Sequence, residues 1–67
     1  MNQTRADFHE QNLSSAQDEA RRLFGQKTLL QGAWLNWVAS QLYQLQPAEY
    51  ASMVRRALMR LQETGEN

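Results

Sequence analysis

The sequence predicts an all-α fold, a short helical bundle. An antiparallel hairpin of helices at about 27–45 and 47–63 follows a helix at about 14–24, and a second copy of the chain completes the bundle. Three observations carry this expectation. Apolar residues recur at i, i+3, i+4 and i+7 in three successive segments, the mark of helices with one dry face. Neither strand-like alternation nor an internal repeat occurs anywhere. The one proline, Pro47, falls between the second and third periodic segments, where a helix can begin.

Residues 1–12, MNQTRADFHEQN, are polar, with Phe8 as their one aromatic side chain, and are read as a flexible arm. Helix formation starts in NLSSAQDEARRLFG, with Thr4 as the furthest extension backwards. Ser14 with Gln17 fits a capping box, and Asp18 and Glu19 sit in early turns, where negative charge suits the helix dipole. Leu13, Ala16, Ala20, Leu23 and Phe24 recur at helical spacing, and Gly25 closes the segment as a C′ residue. Asp18 and Arg22, at i,i+4, form a surface pair contributing about 0.3 kcal/mol.

The second helix, KTLLQGAWLNWVASQLYQL, carries a broad apolar face of Leu30, Ala33, Trp34, Trp37, Val38, Leu42 and Leu45, with Leu35 at its margin. Its other side is mostly small or aromatic: Leu29, Gly32, Asn36, Ala39 and Tyr43. Between Thr28 and Glu49 the only ionisable side chain is the phenol of Tyr43, so this helix expects cover on more than one side. Gly32 inside a helix costs roughly 1 kcal/mol relative to alanine, which points to a close contact there.

The third helix opens after QLQP, with Pro47 at its first position and Glu49 near its positive end. Tyr50, Met53, Val54, Ala57, Leu58 and Leu61 form the cleanest amphipathic stripe in the chain. Ser52, Arg55, Arg56, Met59, Arg60 and Glu63 form its wet face, where Glu63 can pair with Arg56 or Arg60. Residues 64–67 are expected to fray.

A 67-residue chain is a single domain whose core needs a staple or very good packing. Cysteine is absent, which removes disulfides and thiolate ligands and fits a reducing compartment. One histidine, His9, cannot build a metal site alone, and no cofactor motif is present. DFHE brings Asp7, His9 and Glu10 together in sequence without a nucleophile and its base, so enzyme activity and catalytic residues are not expected. Seven basic residues balance seven acidic ones, which disfavours nucleic acid as a partner. No run of apolar residues is long enough to span a membrane, and no leader is legible, giving a cytoplasmic expectation.

The expected function is therefore non-enzymatic protein–protein interaction. The chain reads as a homodimeric regulator or adaptor of anti-activator or inhibitor type, of the kind found in bacteria and phages, that binds and modulates a larger protein. Leu30, Gly32, Trp34, Trp37, Ala39, Tyr43, Tyr50, Val54 and Leu58 are assigned to the core or the dimer contact. Arg55, Arg56, Met59 and Arg60 are assigned to partner binding. The alternative rests on VASQLYQLQPAEYASMVRRALMRL, which resembles the cadence of a helix-turn-helix and implies a dimeric DNA-binding transcriptional regulator. The turn position that usually carries glycine falls at Tyr43 or a neighbour.

Overall fold

The computed structural model describes residues 4–64. Among them every regular element is helical: α1 spans Arg5–Phe24, α2 Lys27–Leu30, α3 Trp34–Gln44 and α4 Ala48–Glu63, with a 3₁₀ turn at Gln31–Ala33 joining α2 to α3. The all-α expectation holds, and three boundaries move. Residues 65–67, most of the expected frayed tail, lie outside the described residues.

Helix α1 begins nine residues earlier than the 14–24 expectation. The decisive feature is a capping box one turn from the N-terminal side: the amide of Asp7 donates to Thr4 Oγ1 at 3.0 Å, and the amide of Thr4 reaches Asp7 Oδ2 at 3.5 Å. This pair satisfies donors that the first turn would otherwise leave open. From Arg5 onward the supposed arm is therefore helix, and Phe8 packs half-buried against the core. Ser14 lies inside the helix, exposed, and caps nothing. At the other end Gly25 has φ −63°, right-handed rather than the left-handed C′ geometry expected of it. The chain can thus continue directly into α2. On the surface Asp18 pairs with Arg21 at 2.8 Å and Glu19 with Arg22, both at i,i+3, instead of Asp18 with Arg22.

The expected continuous helix 27–45 is broken. Gln31 adopts φ 48° and ψ −116°, a conformation that a side chain disfavours by roughly 1–3 kcal/mol. Periodicity runs through this point, so the sequence pattern does not reveal it. Pro47 sits one position earlier than expected, as the N-cap of α4, and its carbonyl accepts from the amides of Tyr50 and Ala51. The Gln46–Pro47 peptide is cis.

The fully buried core is small: Ala16, Ala20 and Leu23 from α1, Trp34 and Val38 from α3, and Met53, Val54 and Leu58 from α4. Burying a side chain such as Leu23 or Val54 stabilises by roughly 1.5–3 kcal/mol. Ala16 and Ala20, one turn apart and 1% and 0% exposed, let neighbouring backbones approach α1 closely. The most extensive helix contact is α1 against α4, larger than that of α3 against α4. Thr4–His9 share one hollow with Glu49–Arg56, and His9–Arg21 share a second with Met53–Leu61, so α1 and α4 lie side by side along much of their lengths. Ser15 Oγ and Tyr50 Oη, 2.7 Å apart, bond the two helices directly.

The result is a thin slab. Its Cα extents are 45 × 23 × 14 Å and its radius of gyration is 12.8 Å, against roughly 11 Å for a compact chain of this length.

Candidate functional site

Two surfaces stand out, and each grows from a helix face that the core leaves uncovered. The first is the outer side of α2 and α3. At about 100° per residue, Leu35, Ala39, Tyr43, Asn36 and Ser40 share one arc of α3, opposite buried Trp34 and Val38. Leu35 is 71% and Tyr43 92% exposed, and Leu29 on α2 is 76% exposed. Gly32, Asn36 and Ala39 are exposed as well. A Cβ built on Gly32 would meet nothing within 4 Å, so nothing inside this chain demands glycine there. From Thr28 to Ala48 no side chain carries a charge at neutral pH, which leaves this arc exposed, partly apolar and uncharged.

The second surface is a groove of about 300 Å³ between α1 and α4. Leu13, Met53, Ala57 and Leu61 line it with apolar surface, and His9, Arg21, Arg56 and Arg60 with basic side chains. Gln17 completes the lining, which holds no carboxylate and no Phe, Tyr or Trp ring. The positions from α1 are His9, Leu13, Gln17 and Arg21, four apart, so one face of a single long helix faces the groove. Among the described residues the ion pairs are Arg21–Asp18 and Arg22–Glu19, which leaves Arg56 and Arg60 without a carboxylate partner and the expected Glu63 pairing unformed.

The residues assigned from sequence separate between these surfaces and the core. Trp34, Val54 and Leu58 are buried, while Leu30, Trp37 and Tyr50 are half-buried and pack against the core. Gly32, Ala39 and Tyr43 lie on the exposed arc. One indole is thus sealed by the chain itself, Trp34 at 2% exposure, and Trp37 only in part. Arg55, Arg56, Met59 and Arg60 are all exposed, but only Arg56 and Arg60 line the groove. Arg55 and Met59 occupy a different strip of α4.

Sequence reasoning missed the α1 half of the groove. Leu13, on the expected dry face, is 39% exposed. His9, in the expected arm, lies within α1. The four-residue spacing from His9 to Arg21 was the available signal, legible only once the helix was known to start at Arg5. The DFHE residues do not converge: Asp7 is engaged in the helix cap, and His9 turns to the groove.

Trp34 anchors the start of α3. Its Nε1 donates to the Leu23 carbonyl at 2.9 Å, its ring meets Phe24 edge-on at 6.3 Å, and Lys27 Nζ lies 5.4 Å from its centroid.

The chain matches no family model, no curated protein and no solved structure. Among the described residues no group of three His, Cys, Asp or Glu could hold a metal ion, and no helix is long and apolar enough to cross a membrane.

Proposed function

We propose that this protein is a cytoplasmic, non-enzymatic interaction module that works by stoichiometric binding, as a homodimeric regulator or adaptor of a larger protein. The observation that carries the reading is the exposed, uncharged arc of Leu35, Ala39 and Tyr43 along α3, with Leu29 exposed on α2 before it. Such an arc in contact with water is what a partner usually covers.

The surface area supports the same reading. The chain exposes 5249 Å², where a folded chain of this size is expected to expose roughly 4,400 Å². The excess is close to the roughly 800 Å² that one partner contributes to a standard interface. A second copy, packed arc to arc, is self-complementary because neither arc carries charge, and small residues at Gly32 and Ala39 permit close backbone approach. The dimer would then leave α4 free to present Arg56 and Arg60 to the regulated protein.

Sedimentation equilibrium tests the dimer. The wild-type chain is expected to weigh twice its sequence mass at micromolar concentration, and Leu35→Glu with Tyr43→Glu is expected to return it to a monomer. A folded wild-type monomer would remove the reading.

A further inference from the structure

We infer that the groove between α1 and α4 receives an acidic amphipathic helix of the regulated protein. This rests on the interaction reading above and gives that protein's contact its chemistry.

The groove combines apolar side chains and arginines in one lining. Leu13, Met53, Ala57 and Leu61 supply the apolar part, and Arg21, Arg56 and Arg60 the charge, with His9 in the same lining. The chain as a whole has as many acidic as basic residues, so a nine-residue lining with three arginines, of which Arg21 alone is paired (with Asp18), and no carboxylate is a local segregation of charge. Arg56 and Arg60 gain nothing from each other, since like charges at i,i+4 destabilise a helix by a few tenths of a kcal/mol. Neither has an intramolecular carboxylate among the described residues to offset this. Their spacing of one helical turn suits two carboxylates one turn apart on a helix laid alongside.

Other occupants fit less well. A nucleic acid would find no aromatic ring in the groove on which to stack a base, and its sugar–phosphate backbone gains little from Leu13, Ala57 and Leu61. A second copy packed groove to groove would set arginine against arginine. A volume of about 300 Å³ lies at the low end for ligand pockets, which suits a few inserted side chains of a docking helix.

The test is selection from a displayed library of random 16-residue peptides on the immobilised wild-type chain. Enriched peptides are expected to be net acidic, with apolar residues at i, i+3 or i+4. Their synthetic, fluorescent versions should bind about tenfold or more weaker to Arg56→Glu/Arg60→Glu, and weaken as salt rises. Circular dichroism confirms that the variant is folded; Leu13→Asp, on the opposite wall, is the second variant and should also lose binding. Failure to enrich any peptide, enrichment of neutral or basic ones, or binding to either variant as tight as to the wild type would overturn the inference. So would displacement of the peptide by a DNA duplex that binds more tightly. The Leu35→Glu/Tyr43→Glu chain is expected to select the same peptides, so failure of the groove and failure of the dimer are read separately.

Discussion

The indole N–H of Trp34 donates to the backbone carbonyl of Leu23 at 2.9 Å, with both residues essentially sealed from solvent. This bond ties the start of α3 to the last turn of α1, at a carbonyl that also accepts from the Gln26 amide at 3.2 Å. A buried indole N–H needs such an acceptor. Trp34→Phe is therefore expected to destabilise by about 1–2 kcal/mol, and Trp34→Ala by about 3–5 kcal/mol, in urea-melt midpoints. Trp37→Phe should cost clearly less than Trp34→Phe, because its ring is only half-buried. Equal losses at the two positions would contradict the packing.

The start of α1 can be checked at its cap. Thr4→Ala is expected to cost about 1 kcal/mol and to lower helicity, since it removes the acceptor for the Asp7 amide. Ser14→Ala should be neutral or slightly stabilising, alanine being the better residue inside a helix. The opposite ranking would return the helix start to Ser14.

Gln31 provides a test with the opposite sign. Its φ of 48° is open to glycine at no steric cost, so Gln31→Gly should raise stability by up to about 1 kcal/mol, less the entropy glycine loses on folding. A loss of stability would show that the side chain contributes more than the backbone conformation costs.

Gly32 separates folding from assembly. Nothing in the chain crowds a Cβ there, so Gly32→Ala should leave the folded monomer as stable or more so. If a second copy approaches closely at this point, the same substitution should weaken association in sedimentation equilibrium. Gain in monomer stability with unchanged dimer affinity would exclude Gly32 from the contact.

Duplex DNA gives a negative expectation. A gel-shift titration at low and high salt should show no salt-sensitive complex, because a chain without basic excess releases few counterions on binding a phosphate backbone. A steep salt slope would instead revive the helix-turn-helix alternative.

The helical class and the dry stripe of α4 were open to inspection in the chain alone. Tyr50, Met53, Val54, Ala57, Leu58 and Leu61 follow a 3.6-residue period, and all six are buried or half-buried. Local periodicity suffices for this, since a helix face is set by neighbours three and four residues away. The break at Gln31 was not legible, because the apolar period runs on through a backbone dihedral that leaves no compositional trace. Nor was the start of α1: Ser14–Gln17 and Thr4–Asp7 both offer short polar residues at capping distance, and the sequence does not rank them.

Which arginines act together was likewise a tertiary matter. Arg55, Arg56 and Arg60 read as one cluster along the chain, and only the packing of α1 against α4 turns Arg56 and Arg60 toward His9 and Arg21. Helical periodicity tells which residues face away from a helix's own core. The neighbour they meet depends on how two distant segments pack, and here α1 packs most extensively on α4.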